Sequence, residues 1–368
     1  MMVASGETDW RTRQLVPGRE ARQLNQSVHE PAKQVDLLAK FESLCGEKLT
    51  VAQKKGLHCH NIAIRALTYG IMDKQMAQYY LREIDSRLKT STRQAVLDSK
   101  GYIFEGQLAS TGQSYTSMYY VFRGAGVYCS KVFDVGVAGV EDSMQLEKAV
   151  SEVVHSDQAC PTLIKVLDAF RAGHHAVLIL PLLARSAADL LAAASPGVVD
   201  DEATAYVAAG VLAAMAGLAA KGWCHGDIKP ANIMLAAGAE KHVVLVDLGA
   251  CTRFNEKLKE FTEHYALGLP KVASLQWDLA CLASTLCILV GIPVKSLSVE
   301  GVSKYMTRLG DDLSFGGQLA LHILKHLDMV DKVEQLRAVV WDEVMERVRG
   351  RLGEEHAATL AAWWPSPL

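Results

Sequence analysis

Several features that would assign a protein to a class at once are missing from this sequence. Its 8 cysteines form no C-x-x-C pair and no regular spacing. The sequence therefore predicts a reduced, intracellular protein and neither a disulfide framework nor a zinc finger. An excess of charge is missing too, because 38 Lys and Arg residues face 41 Asp and Glu residues, for a net charge of −3. That balance argues against direct binding of nucleic acid or of an anionic membrane surface.

Long hydrophobic runs are also missing. The first residues, MMVASGETDWRTRQ, lack the apolar segment of a secretory signal. The longest uncharged stretch, residues 279–294, is short for a membrane span and contains Ser284, Thr285, Gly291 and Pro293. We therefore expect a buried core helix there and no membrane partner.

What is present is an ordinary globular composition, with 50% hydrophobic and 21% charged residues. Residues 1–34 are polar and aperiodic, and we interpret them as a tail or linker. In residues 35–97, apolar residues recur three and four apart, which predicts two or three helices in an N-terminal extension.

From residue 98 onwards the pattern is typical of an α+β fold with two lobes. Five segments in residues 98–183 are rich in aromatic and β-branched residues and predict strands: YIFEGQLAS, SYTSMYYVFR, GVYCSKVF, LIKVLDAF and AVLILPLL. One helix, DSMQLEKAVSEVVHS, interrupts them. Residues 184–368 are mainly helical, and the Ala-rich helix EATAYVAAGVLAAMAGLAAKG is predicted to end at Gly222.

Directly after that helix comes CHGDIKPAN, residues 224–232, which contains Asp227, Lys229 and Asn232. Fifteen residues beyond Asn232, Asp247 opens the triplet DLG at the end of an apolar run. These two segments resemble the catalytic loop and the DFG metal-binding motif of eukaryotic protein kinases. The resemblance covers roughly residues 98–365 and implies a bilobal protein-kinase fold.

The resemblance also implies roles for these residues. Phosphoryl transfer depends mainly on positioning and on neutralising charge. Asp227 would accept the proton of the substrate hydroxyl, and Lys229 would lie beside the transferring phosphate. Asn232 and Asp247 would hold magnesium through oxygen ligands, so that the cofactor would be Mg-ATP if the site is competent, and none otherwise.

In the small lobe, GVYCSKVF resembles the strand that carries the kinase phosphate lysine, which makes Lys131 its equivalent. The partner carboxylate should lie on the following helix. Glu147 has the spacing usual for the family, and Glu152, five residues later, is the alternative on a different helical face.

Further positions follow from the same resemblance. Pro181, Leu182 and Leu183 would form the hinge that offers backbone groups to adenine, between Cys129 above and Met234 below. His225 and Leu248 would align the lobes, and Asp278 would anchor the backbone of the catalytic loop. These residues complete the predicted nucleotide-binding and structural positions, together with Gly112 of the glycine-rich turn.

The sequence departs from the kinase pattern in three places. The turn that should cover the phosphates contains only Gly106 and Gly112. Leu269 stands where the activation segment usually has a glutamate, so that the ion pair to the helical lobe is missing. Gly226 replaces the arginine of the HRD motif, which removes the docking partner of an activation-segment phosphate.

HGDIKP, DLG and the divergent activation segment together are similar to the Bub-class spindle-checkpoint kinases. That resemblance implies a nuclear, kinetochore-associated protein with checkpoint proteins as partners. The family includes pseudokinases, and a helical extension precedes its kinase-like domain.

Three functions stay open on the sequence. The first, which it favours, is a Bub-like scaffold in chromosome segregation with weak or no kinase activity. The second is an active Ser/Thr protein kinase. The third is a small-molecule kinase of the aminoglycoside or choline type, against which Lys229 and the TEHYA segment argue.

Overall fold

The computed structural model describes residues 31–365 apart from residues 59, 60, 69, 83, 86–96, 98, 99, 110–115, 136, 138, 158, 159, 173, 174, 195, 196, 237–241, 295 and 296. Two compact units divide the chain, Met1–Ala95 and Val96–Leu368. Most of the predicted tail lies outside the described residues, and so does Gly112.

The first unit is helical where it is described. Its helices are α1 (Pro31–Cys45), α2 (Val51–His58) and α3 (Asn61–Thr68), and residues 74–82 are also helical. The last of these helices begins where Asp73 accepts a hydrogen bond from the backbone N–H of Met76 at 2.8 Å, the usual way to satisfy a free N-terminal donor. Phe41, Leu57 and Leu67 are among the buried residues of its own hydrophobic core.

The second unit begins with a five-stranded antiparallel sheet in the order β1-β2-β3-β5-β4. Its strands are β1 (Ile103–Ala109), β2 (Thr116–Arg123), β3 (Gly126–Asp134), β4 (Asp168–Ala172) and β5 (His175–Pro181), and helix α4 (Val140–Val154) connects β3 to β4. Five strands and one helix agree with the sequence pattern.

Strand β4 begins later than LIKVLDAF predicted. Residues 164–167 are not part of the strand, and the backbone donors of Ile164 and Val166 are used elsewhere. The N–H of Ile164 donates to Leu245 O at 3.0 Å, and the N–H of Val166 donates to Ser151 Oγ at 2.8 Å. Apolar composition could not distinguish this link to the large lobe from a strand.

Both faces of the sheet are covered. The face that carries Cys129, Leu178 and Leu180 belongs to the main core, while the opposite face has a separate cluster that includes Tyr119, Val132 and Ile179. The segment before β1 closes this second cluster. Its side chains Leu97 and Tyr102 are 0% and 3% exposed, and the Tyr102 hydroxyl donates to Asp168 at 3.0 Å.

The rest of the second unit is mainly helical. After β6 (Leu183–Ser186) come α5 (Ala187–Ala193), α6 (Asp201–Ala219), β7 (Trp223–Cys224), β8 (Ile233–Ala236), β9 (Val243–Leu245) and β10 (Thr252–Arg253), followed by α7 (Leu275–Leu289), α8 (Val299–Leu309), α9 (Phe315–Lys325), α10 (Asp342–Leu352) and α11 (Glu354–Ala361). A π-helix, Leu336–Trp341, leads into α10. One small sheet has the strand order β6-β8-β9, and another pairs β7 with β10.

Helix α6 lies at the centre of this helical half. It is the one described helix that is long and apolar enough to cross a membrane, but 78% of its apolar window is buried inside the protein. It ends at Ala219, three residues before Gly222, whose φ of 76° turns the chain into β7. Helix α6 therefore positions the loop that follows β7 between the stranded and the helical halves of the second unit.

Candidate active site

The backbone of the catalytic-loop segment is held at Gly226. Asp278, on α7, accepts the N–H of His225 at 2.7 Å with one carboxylate oxygen and the N–H of Gly226 at 2.9 Å with the other. The indole N–H of Trp277 donates to the Gly226 carbonyl at 2.9 Å. Burial raises the pKa of the Asp278 carboxyl, which is 2% exposed. Its hydrogen bonds offset part of the cost of burying a charge.

His225 links this clamp to the next residue. Its Nε2 lies 3.0 Å from Val246 O, and its Nδ1 accepts the N–H of Asp227 at 3.3 Å. Both contacts are satisfied together by the neutral ring protonated at Nε2. The fully buried His225 ring therefore helps to position the backbone N–H of Asp227.

Three side chains donate hydrogen bonds to the carboxylate of Asp227. Thr262 Oγ donates to its Oδ1 at 2.7 Å, and Lys229 Nζ lies 2.5 Å from its Oδ2. Asn232 Nδ2 donates to the Asp227 carbonyl at 2.9 Å and to Oδ2 at 3.2 Å. Lys229 also bonds Thr262 at 3.1 Å, so these four side chains form one closed network.

Lys131 joins the two halves of the site. Its ammonium group on β3 lies 2.8 Å from Glu147 on α4 and 2.7 Å from Asp247, which follows β9. Glu152, the alternative partner, instead lies 3.6 Å from Lys148 with 64% of its side chain exposed. The structure thus brings Lys131, Glu147 and Asp247 together.

Neighbouring charges and burial have opposite effects on the pKa values of Lys131, Glu147 and Asp247. Burial alone would lower the pKa of Lys131, but Asp247 and Glu147 raise it above the ordinary value. The Lys131 charge holds the pKa of Asp247 below its usual range, whereas burial raises that of Glu147. Asp247 also has φ of 67°, an uncommon conformation for a residue with a side chain, which aims its carboxylate at Lys131.

A comparison with known families agrees with this geometry. The sequence model of the protein kinase domain family matches residues 118–267. That range contains Lys131, Glu147, Asp227, Asn232 and Asp247. The chain has a protein-kinase fold. The α+β prediction, with a stranded small lobe and a helical large lobe, is confirmed. No curated protein matches the sequence.

The kinase fold places the predicted adenine contacts at the junction of β5 and β6. Cys129 pairs with Leu180 across β3 and β5, and Lys131 pairs with Met118 across β2 and β3. Paired residues project from the same face of a sheet, so Met118 lies beside Lys131 above the cleft. Burial raises the pKa of the Cys129 thiol to about 12, so this thiol stays protonated near neutral pH.

The remaining nucleotide positions lie along the same junction. Leu182 is half-buried between the strands, Leu183 begins β6, and Met234 is half-buried on β8, where it pairs with Ser186. Gly112 lies outside the described residues. Thr116 and Ser117 are the first two residues of β2 and are 7% and 6% exposed.

The activation segment of this kinase fold is held by apolar packing and a short backbone ladder. The N–H groups of Asn255, Leu258 and Ala273 donate to Ala273 O, Lys271 O and Glu256 O at 2.9, 3.1 and 2.9 Å. Leu258 is 3% exposed and packs on the main core. Its Cδ2 would lie 3.1 Å from a Cβ atom on Gly226. An aliphatic side chain therefore occupies the space beside Gly226.

Leu269, expected to leave the segment without its ion pair, is instead packed against the main core. The neighbouring Tyr265 carbonyl accepts a hydrogen bond from Ser284 at 2.7 Å. The missing glutamate is thus replaced by hydrophobic contact and a hydrogen bond to α7.

Sequence reasoning missed the contributions of Trp277, Met118 and Leu258. Trp277 had a detectable signal, because it directly precedes the predicted anchor Asp278. Met118 could have been found by its place opposite Lys131 in the β2–β3 hairpin. Leu258 had no signal in the sequence, since one leucine in a polar segment does not reveal what it packs against.

Proposed function

We propose that this chain is the kinase-like domain of a Bub-class checkpoint protein that binds Mg-ATP and slowly transfers its γ-phosphate to a serine or threonine of a protein partner. The observation that carries the proposal is the position of Lys131 Nζ, 2.8 Å from Glu147 and 2.7 Å from Asp247. For transfer, kinases need this lysine–glutamate ion pair and a DFG-type aspartate that is placed to hold magnesium.

The described side chains account for the chemistry. Lys131 would hold the non-transferring phosphates, with Glu147 fixing its ammonium group. Asp227 would accept the proton of the attacking hydroxyl, and Thr262 and Lys229 orient its two oxygens. Lys229 also places a positive charge beside the path of the transferring phosphoryl group.

The residues present fit a magnesium ion that arrives with the nucleotide. The Asn232 amide nitrogen faces Asp227, which turns its oxygen away, and 46% of the Asp247 side chain is exposed. Among the described residues no three His, Cys, Asp or Glu side chains converge. Substrate phosphates and water would complete such a site, as is usual for magnesium. When bound, magnesium would neutralise charge on the phosphates.

Slow transfer follows from the glycine-poor turn. Only Gly106 and Gly112 lie in the segment that should cover the phosphates, and fewer backbone N–H groups can then approach them. Each ~1.4 kcal/mol of lost transition-state stabilisation costs tenfold in rate. The same feature supports the second candidate, an inactive scaffold.

The cellular part of the proposal depends on HGDIKP, DLG and Gly226, which resemble the Bub class. Checkpoint proteins as partners and a nuclear, kinetochore location come with that resemblance. The Thr262–Asp227 contact favours a protein substrate over a small molecule, because it places the peptide-binding segment directly against the proposed base.

Binding of Mg-ATP to the purified chain tests the proposal. At about 100 times the Kd, a ligand stabilises the native state by ~2.7 kcal/mol, and each kcal/mol raises the Tm of a domain of this size by ~2–4 °C. We expect a rise of about 5–11 °C with Mg-ATP, measured by thermal unfolding, and slow incorporation of labelled phosphate into Ser/Thr peptides.

Two variants serve as controls. Asp247→Ala should abolish both effects, whereas Asp328→Ala, at an exposed position far along the chain, should keep them. No stabilisation at millimolar Mg-ATP would overturn the proposal. Stabilisation without transfer would support the scaffold, and transfer to aminoglycoside or choline alone would support a small-molecule kinase.

A further inference from the structure

Helix α4 lies close to the DLG turn at Gly249. A Cβ atom on Gly249 would lie 2.6 Å from Ser143 Oγ, while the next atoms, Asp247 Oδ1 and Ser143 O, would be at the ordinary contact distances of 3.7 and 3.8 Å. Well-packed interiors do not tolerate a carbon–oxygen contact of 2.6 Å. The Ser143 hydroxyl therefore occupies the space that any side chain on Gly249 would need.

Ser143 and Glu147 lie four residues apart and project from the same face of α4. One stretch of helix thus touches the DLG turn through Ser143 and bonds Lys131 through Glu147 at 2.8 Å. Lys131 in turn bonds Asp247 at 2.7 Å, two residues before Gly249. These contacts close a ring, so that a shift of α4 at Ser143 must stretch one of the two ion pairs.

We propose that Ser143 is a positioning residue of the Mg-ATP site. Its hydroxyl, packed against Gly249, sets how closely α4 approaches the DLG turn and thereby keeps Glu147 and Asp247 on the same ammonium group. The effect of Ser143 on catalysis rests on the proposed function, whereas its contact with Gly249 can be measured in the absence of nucleotide.

A double-mutant cycle with Gly249→Ala and Ser143→Ala tests this role. Gly249→Ala forces the serine out of its rotamer or moves α4, and should weaken Mg-ATP affinity by roughly threefold to tenfold, the size of a strained rotamer. The double variant should recover most of that loss, because the alanine methyl group enters the space that the hydroxyl leaves. In kinetics the loss should appear in the KM for Mg-ATP more than in kcat.

A bulkier residue tests the opposite direction. Ser143→Val places a branched side chain with essentially one helical rotamer against Gly249. It should push α4 outward and weaken Mg-ATP affinity more than Ser143→Ala does. Equal affinities for the two variants would overturn the proposal.

The same cycle is also measured by chemical unfolding without nucleotide. We expect the two substitutions to be strongly non-additive in stability, whereas Gly350→Ala combined with Ser143→Ala, at a distant exposed helix position, should be additive. Additive effects for Gly249 and Ser143 would overturn the inference. If the two substitutions are coupled but the protein binds no Mg-ATP, the contact between Ser143 and Gly249 is retained. Its role in the Mg-ATP site is then rejected, and the result also counts against the proposed function.

Discussion

At residue 226 the chain requires glycine for two separate reasons. Its φ of 84° lies in the left-handed region, where residues with a side chain cost about 1–2 kcal/mol. A Cβ atom there would also lie 3.0 Å from the carbonyl oxygen of Ala250, and backbone cannot rotate away as a side chain can. The packing of the loop therefore favours glycine at position 226, where the HRD motif has arginine.

Substitution of Gly226 separates these two costs when it is compared with Gly197. Gly197 has φ of 85° and nothing within 4 Å of a Cβ position, so Gly197→Ala should show the conformational cost alone. Gly226→Ala should lower the free energy of unfolding by a further ~1–3 kcal/mol, the usual size of overpacking. Urea unfolding of both variants measures the difference, and equal losses would contradict the steric argument.

The sequence predicted the polar residues of the candidate site and two of their contacts, Lys131 with Glu147 and Asp278 with the catalytic loop. It did not predict the contacts of Thr262 and Trp277. Spacing within CHGDIKPAN and DLG identified Asp227, Asn232 and Asp247 because motif residues are neighbours in the chain. The bonds from Thr262 to Asp227 and from Trp277 to Gly226 join residues 35 and 51 positions apart. Such contacts are set by tertiary packing, which single-sequence patterns do not report.

At the scale of elements, the connection from α4 to β4 is tied by His155. Its Nδ1 accepts the N–H of Cys160 at 3.2 Å, and its Nε2 lies 3.4 Å from Ile164 O. Only the neutral ring can accept at one nitrogen and donate at the other. Burial accordingly lowers the pKa of His155 below its ordinary value.

This connection should weaken in mild acid. A histidine with a lowered folded-state pKa binds fewer protons than in the unfolded chain, so its contribution to stability is full above the unfolded-state pKa of about 6.5. It is lost as pH falls from there through the folded-state pKa. Because α4 carries Glu147, Mg-ATP affinity should fall over the same range.

Thermal unfolding between pH 7.5 and 5 measures this effect, with His155→Gln as the variant. Glutamine can also donate and accept but does not titrate there, so the variant should lose part of the pH dependence. His322 has a pKa that burial also lowers, and His322→Gln removes that second contribution. An unchanged pH profile in His155→Gln would exclude the role of His155.

Elements were easiest to predict where aromatic and β-branched residues, or apolar residues at helical spacing, mark a whole segment. Helix α4 and strands β2, β3 and β5 lie close to the segments that predicted them. Strand β4 begins later than predicted, because Leu245 and Ser151 accept the backbone N–H groups of Ile164 and Val166. A hydrophobic run shows that a segment is buried and leaves open which neighbour it bonds.

At the scale of the whole molecule, α6 packs so closely within the large lobe that Gly210 has no room for a side chain. A Cβ atom on Gly210 would lie 2.5 Å from Val243 Cβ, so α6 and β9 are in direct contact there. Because β9 leads directly into Asp247, this contact helps to place the carboxylate that is proposed to bind magnesium relative to the core.

Paired glycine substitutions test this packing. Alanine is favoured over glycine in helices by ~0.8–1 kcal/mol, so Gly350→Ala, with nothing within 4 Å on α10, should stabilise the protein by up to that amount. Gly210→Ala should instead destabilise it by ~1–3 kcal/mol, since overpacking outweighs helix propensity. Equilibrium unfolding distinguishes the two signs, and stabilisation by Gly210→Ala would contradict the close contact.

The clamp on Gly226 has a consequence for the timescale on which the catalytic loop moves. The amide hydrogens of His225 and Gly226 are bound by a buried carboxylate, and the Gly226 carbonyl is bound by a buried indole. Local fraying cannot release them, because Asp278 and Trp277 belong to core helix α7. Their exchange with solvent must wait for a large opening of the lobe. The loop that carries Asp227 is therefore expected to be among the slowest parts of the molecule to rearrange, and binding of the proposed nucleotide should leave it in place.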